Sequence, residues 1–287
     1  MNIIVGATGQ VGSQVVREIQ RSGFPVRAVV RSADKLSDPS IEFRTADLFH
    51  LDEVVEAFRG GTTVFVLTPE NPSSSDILED TKQMVSNYKH AIQATGIQKV
   101  VALSCIGAHI DGETGNVRMS RILEQEMDTL AIAKVFVTPS YYFSNWIGYL
   151  DTVKEHGVLP SFFSENFKID MHSPLDLAKF IAQVTIAPPS ANKATYELIG
   201  PEQYSAMDVA TAFGSLLNKE VTVQPIAKEQ WKERLTSVGF TENNAAKLSD
   251  MTKALIEQRL IPEQPENTIT LPTTFKQYLT GTLAKFS

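Results

Sequence analysis

Gly6, Gly9 and Gly12, in the run Gly6-Ala7-Thr8-Gly9-Gln10-Val11-Gly12, have the types and spacing needed to hold a pyrophosphate. They follow an apolar run, Ile3-Ile4-Val5, and lead into Val11 to Ile19, where apolar residues recur at helical spacing. In a strand, turn and helix of this kind the first glycine permits the tight turn. The second lets the backbone approach the phosphates, and the third lets the helix pack closely on the strand. Backbone N–H groups at the helix start then face the anion, where the helix dipole also favours negative charge. Thr8, Gln10 and Val11 share that turn and join the glycines as expected contacts. A glycine triplet alone is common; its position between a strand and a helix gives it weight.

The residue that ends the second strand selects the nucleotide. A carboxylate there suits the ribose hydroxyls of NAD, and a basic group suits the 2′-phosphate of NADP. The chain reads Val29-Val30-Arg31-Ser32, with no carboxylate before Asp34. The Arg31 guanidinium can bind a phosphate and stack on adenine, which favours NADP(H). Asp47, followed by Leu48, lies just past the third predicted strand, where it can accept from the adenine amino group. The alternative for Asp47 is a cap on the helix beginning near Leu51. Thr68 and Pro69 follow the fourth strand and are expected to border the ribose and nicotinamide. Pro69 equally reads as a strand terminator.

These residues need a scaffold that gathers the ends of several strands, and the first half of the chain alternates accordingly. Strands are expected at 25–30, 41–46, 64–67 and 99–104, with helices at 51–58 and from Asp76 to about Thr95, closed by Gly96. This order implies right-handed crossovers and a parallel sheet, and the wholly apolar strands imply a sheet covered on both faces. Further on, helices are expected at 121–130 and 175–184, and a helix capped by Ser205 follows later. Strands are expected at 133–138, 195–199 and 221–225, and the remainder reads as largely helical.

With 43% hydrophobic residues among 287, the chain can bury one large core and a smaller lobe. A net charge of −7 argues against a non-specific nucleic-acid binder. No apolar run approaches the roughly 18–20 residues of a membrane span. The N-terminus lacks the basic and apolar segments of a secretory signal, so a cytoplasmic location is expected. Cys105 is the sole cysteine and the five histidines are scattered, so no metal site is expected.

Gly6 to Gly12, Val29-Val30-Arg31-Ser32, Ala46-Asp47, Val64 to Pro69 and Gly200-Pro201-Glu202, taken in order, resemble the NmrA-like branch of the atypical short-chain dehydrogenases. That branch includes NAD(P)H:quinone oxidoreductases, triphenylmethane reductases and non-catalytic redox-sensing regulators. The resemblance spans residues 1–215; the remainder matches only in general character. It implies an α/β chain with a Rossmann-type doubly wound parallel sheet, an NADP-binding domain over 1–150 and a sheet completed by 170–200. Residues 151–287 are then mostly a smaller, mainly helical lobe, interwoven with the first and covering a substrate cleft.

Typical short-chain dehydrogenases pair a tyrosine with a lysine four residues on, which lowers the phenol pKa and makes it a proton donor. None of the seven tyrosines has that lysine, and the helix where the pair would lie reads Arg118-Met119-Ser120-Arg121-Ile122-Leu123-Glu124. Ordinary alcohol dehydrogenase or epimerase chemistry is therefore disfavoured. Hydride transfer survives the absence, because the cofactor supplies the hydride and water can supply protons. Ser104 and the segment carrying Tyr141, Tyr142, Phe143, Asn145 and Trp146 lie at strand ends and are the candidates for a cleft suited to a flat acceptor. Packing between the lobes is the competing role for each aromatic. Cys105 has no cationic sequence neighbour to favour a thiolate. Glu124 is expected to be solvated or salt-bridged, and His172, Asp170 and Asp176 to be structural at the lobe junction. The expected function is NADPH-dependent reduction of a quinone-like or planar conjugated acceptor. A non-catalytic NADP(H) sensor acting through a protein partner is the alternative.

Overall fold

The computed structural model describes residues 1–36, 38, 40–189 and 191–283. Strands β1 (Asn2–Val5), β2 (Val26–Val30), β3 (Glu42–Thr45), β4 (Thr63–Val66), β5 (Lys99–Leu103) and β6 (Ala133–Pro139) occupy the first half. Between them run α1 (Gly12–Arg21), α2 (Leu51–Phe58), α3 (Ile77–Thr95) and α4 (Val117–Asp128). There follow β7 (Tyr141–Tyr142), α5 (Ser144–Ile147), α6 (Leu150–His156), β8 (Val158–Ser161), β9 (Ile169–His172) and α7 (Pro174–Ile186). The chain continues through β10 (Lys193–Ile199), β11 (Gln203–Tyr204), α8 (Ala206–Leu217), β12 (Thr222–Pro225), α9 (Trp231–Ser237), α10 (Glu242–Ile256), β13 (Ile269–Thr270) and α11 (Phe275–Leu283).

The main sheet has the order β3-β2-β1-β4-β5-β6-β10-β13, and every neighbouring pair is parallel. This is the expected doubly wound Rossmann-type arrangement. Strand alternation divides its core into two layers. Ile3 and Val5 pack with Val54, Phe58, Val85 and Tyr88 beneath α2 and α3. Ile4 packs instead with Val15, Ile19, Leu177 and Ile181 beneath α1 and α7. The strand order reverses between β1 and β4, which opens a crevice at their carboxyl ends.

Local chemistry sets the ends of several helices. Asp76 caps α3 by accepting from the Leu78 and Glu79 N–H groups, and Gly96 ends it at φ 71°. Ser173 caps α7, and Ser205 forms a reciprocal capping box with Asp208 on α8. The buried Lys99 ammonium at the start of β5 donates to the carbonyls of Val184, Thr185 and Ala187, satisfying the end of α7.

A separate aromatic core includes Phe143, Trp146, Met171, Phe213 and Phe275. Two small sheets support it: β11-β9-β7 and β12-β8. Here the structure departs from the sequence-based elements. The helix expected at 121–130 begins at Val117, four residues earlier. Strands β7, β8, β9 and β11 were not anticipated, and β13, from a stretch expected to be helical, completes the edge of the main sheet. These strands are two to four residues long, too short to show a period in the sequence.

Candidate active site

The glycine turn lies at the end of β1, beside the reversal of strand order. Gly6 adopts φ 67°, which only glycine takes without strain, and a Cβ there would meet the Leu67 side chain at 3.1 Å. A Cβ on Gly12 would lie 2.2 Å from the Gly6 carbonyl oxygen, so the first turn of α1 rests directly on the turn before it. Gly9 closes the loop by donating its N–H to the same oxygen at 2.9 Å. No side chain caps the start of α1; Ser13 and Gln14 donate their N–H groups to the Gly9 and Val11 carbonyls, which leaves the Gly12 N–H at the helix start for an anion.

A cavity of about 540 Å³ extends from this turn along the carboxyl ends of β1, β2 and β4. All eleven residues assigned to the cofactor from sequence line it: Gly6, Thr8, Gly9, Gln10, Val11, Gly12, Arg31, Asp47, Leu48, Thr68 and Pro69. Arg31 is exposed at its rim, with no hydrogen bond or ion pair to any described residue. Asp47 does not cap α2, whose N-cap is His50. Its Oδ1 instead accepts from the Phe49 N–H at 3.0 Å, and its own N–H donates to Glu53. A cradle that leaves no room for a Cβ at Gly12 and a free guanidinium at the far rim fit a phosphorylated dinucleotide.

A second cavity, of about 500 Å³, adjoins the first. Leu67, Thr68, Glu70, Leu103 and Tyr142 line both, so they form one wall common to the two. Ser104, Tyr141, Tyr142 and Asn145, expected from sequence at the cleft, line the second cavity. Phe143 and Trp146 do not. They are 0% and 2% exposed. Phe143 packs on Tyr204, Phe275 and Tyr278, and Trp146 donates its ring N–H to the Met171 sulfur. Tyr141 and Tyr142 on β7 line the cavity, while Phe143 and Trp146, just beyond it, pack in the aromatic core.

The cavity's roof, built from Leu235 of α9 and from Leu248, Met251 and Leu255 of α10, has no signal in the sequence. Helix α10 is tied to the loop after β4. Asn244 donates to the Asn71 carbonyl, and Thr241 donates to the Pro72 and Ser74 carbonyls through its N–H and hydroxyl. The cavity-facing side of α4 carries Asn116, Val117, Met119 and Ser120, with no phenol and no ammonium group.

Glu70 was also missed. It is exposed at the mouth of the cavities, its carboxylate accepts from Asn116 Nδ2 at 3.1 Å, and desolvation by the surrounding wall raises the carboxyl, opposed by that hydrogen bond. The Cys105 thiol is pushed up to about 12 by burial, opposed by a hydrogen bond with Ser120 and helped by Glu124 and Glu70, which disfavours the thiolate. Glu124 is half-buried rather than solvated. Burial raises its carboxyl, and the Ser104 hydroxyl works against that shift. His172 is 0% exposed and lines neither cavity. Its Nδ1 meets the Ser140 hydroxyl at 3.2 Å, and burial lowers its imidazole to about 3. Asp170 accepts from Gln203 of the adjacent strand β11, and Asp176 accepts from the Thr273 N–H. Among the described residues no His, Cys, Asp and Glu group could hold a metal. No helix among them is long and apolar enough to cross a membrane.

The whole chain resembles proteins of known activity. It is 28% identical over 254 residues to the NAD(P)H azoreductase of Xenophilus azovorans, covering 88% of this chain and 86% of that one. The crystal structure of an NADPH-dependent quinone oxidoreductase from Escherichia coli, complexed with NADPH, superposes with a TM-score of 0.82 at 22% identity. The match covers 99% of this chain and 100% of that one. The Citrobacter sp. triphenylmethane reductase complexed with NADP(H) gives a TM-score of 0.81 at 19% identity, covering 98% and 99%. At those identities the two structures speak for the fold. The NmrA-like family model matches residues 2–279, and the chain belongs to the NmrA-like family.

Proposed function

We propose that this protein is an NADPH-dependent reductase of quinone-like or other planar conjugated acceptors. The carrying observation is the wall shared by the two cavities, which brings a dinucleotide cradle and an apolar-roofed pocket to one meeting point. The relatives act as reductases of azo compounds, quinones and triphenylmethane dyes, which supports the same class here. When bound, NADPH supplies a hydride from its nicotinamide.

The chain's residues bind, orient and exclude water. The turn from Gly6 to Gly12 holds the pyrophosphate, Arg31 the 2′-phosphate, and Thr68 and Pro69 border the nicotinamide end. Tyr141, Tyr142 and Asn145 line one side of the acceptor pocket, and α10 covers another. Residues 151–287 accordingly act mostly as the lobe that covers the acceptor, while 1–150 bind the cofactor.

Steady-state oxidation of NADPH by purified protein across a panel of benzoquinones, naphthoquinones and azo dyes tests this assignment. Saturable turnover with at least one class is expected. Tight NADPH binding without turnover, accompanied by unequal affinities for NADPH and NADP⁺, would point instead to a redox sensor working through a protein partner.

A further inference from the structure

We propose that Glu70 is the acid that protonates the acceptor during reduction, with Asn116 positioning its carboxyl group. This assignment rests on the reductase reading above and extends it to the proton. Glu70 follows β4 and lies in the wall common to both cavities, where a reduced cofactor and an acceptor meet. Asn116, the residue before α4, holds Oε1 through its amide, while Oε2 has no protein partner among the described residues. One oxygen is fixed and the other is left to face a ligand.

The other titratable groups at this wall are poorer acids. Cys105, after β5, is pushed up to about 12. Tyr142, on β7, is raised above the ordinary phenol range by burial, by Cys105 and by Glu70. His172 beneath it is neutral and shut off from the cavity. The cavity faces of α4 and α10 present Asn116, Met119, Ser120, Leu248, Ser249 and Met251, none of them charged. Desolvation raises the Glu70 carboxyl above its ordinary value, the direction that favours a general acid.

The stoichiometry closes. A quinone or azo acceptor gains a hydride equivalent from the reduced nicotinamide and becomes an anion at oxygen or nitrogen. The Glu70 O–H bond breaks as the acceptor O–H or N–H bond forms. The carboxylate left behind recovers its proton from water.

Two measurements test the role. Carbon-13 titration of the glutamate carboxyls in cofactor-free protein, with Glu70 identified by its loss in Glu70→Gln, should give a midpoint above the ordinary glutamate value. A midpoint at or below that value overturns the proposal. In single-turnover reduction of a naphthoquinone, the wild-type rate should fall tenfold per pH unit above the Glu70 midpoint. Glu70→Gln should be slower by about 100-fold or more at low pH and should lose that limb. Asn116→Leu removes a hydrogen bond to the charged form and should move the limb to higher pH. A flat wild-type profile, or Glu70→Gln within about threefold of wild type, removes Glu70 from the chemistry while leaving the reductase assignment intact. A wild-type protein that reduces no acceptor defeats both.

Discussion

Replacing Gly12 with alanine should damage the fold and cofactor binding together, whereas replacing Gly9 should damage binding alone. A Cβ at Gly12 would stand 2.2 Å from the Gly6 carbonyl oxygen, 2.8 Å from its carbon and 3.2 Å from the Ala7 nitrogen. All three are backbone atoms and cannot rotate aside. The start of α1 must therefore retreat by about 1 Å to restore ordinary contact, and overpacking of this kind costs about 1–3 kcal/mol. The same retreat carries the helix N–H groups away from the pyrophosphate and should weaken NADPH by about 10–100-fold. At Gly9 the nearest protein atom to an added Cβ is the Gly6 oxygen at 3.2 Å, which a small adjustment relieves. Gly9→Ala should therefore melt close to wild type and still lose about tenfold or more in NADPH affinity, because its Cβ occupies the approach to the phosphates. Thermal melting and fluorescence titration with NADPH separate the two effects. Gly12→Ala with wild-type melting and wild-type affinity would refute the packing argument. Gly9→Ala with wild-type affinity would refute the placement of the phosphates.

Arg31→Ala should weaken NADPH by about 10–100-fold, a charged hydrogen bond being worth roughly 1.5–3 kcal/mol, and change NADH affinity little. Equal losses for both nucleotides, read by calorimetry, would remove Arg31 from the 2′-phosphate. Phe143→Ala should cost about 3–5 kcal/mol in denaturant unfolding, as a cavity in the separate aromatic core; an unfolding midpoint near wild type would contradict its burial. His172 stays neutral in the folded protein down to about pH 3 but takes up a proton near its ordinary value of 6.5 once unfolded. The unfolded state therefore binds more protons as pH falls through that window, so stability declines, by on the order of 4 kcal/mol in all. Melting of His172→Gln should depend less steeply on pH between 6.5 and 4 than wild type, and identical slopes would show that His172 is not the group responsible.

The cavity over the glycine turn was legible in the sequence because the turn residues that line it lie close together along the chain. Five residues lie between Gly6 and Gly12, and the strand and helix that aim them lie on either side. Arg31 and Asp47 line the same cavity because each follows a strand of the predicted parallel order. The acceptor side was legible only in part, because long-range pairing decides it. Whether Tyr142 or Phe143 faces the cavity depends on β7 adding to β9, about thirty residues later, and no local pattern reports that. Glu70 and Asn116 are 46 residues apart and meet only because α4 begins at Val117, a turn earlier than its apolar spacing suggested. The roof from α10 depends on Gly115, at φ 60°, where a Cβ would lie 2.0 Å from the Lys247 carbonyl oxygen. That glycine looks like any loop residue until the helix it touches is in place.

The most direct test of the paired cavities is an anaerobic single turnover. The preformed complex of this protein with NADPH is mixed with increasing naphthoquinone, and the absorbance of the reduced nicotinamide is followed. A decay rate that saturates with quinone, far above the reaction without protein, is the predicted result, because the acceptor must bind beside the cofactor before it is reduced. Absorbance that decays no faster than free NADPH at any quinone concentration would contradict it.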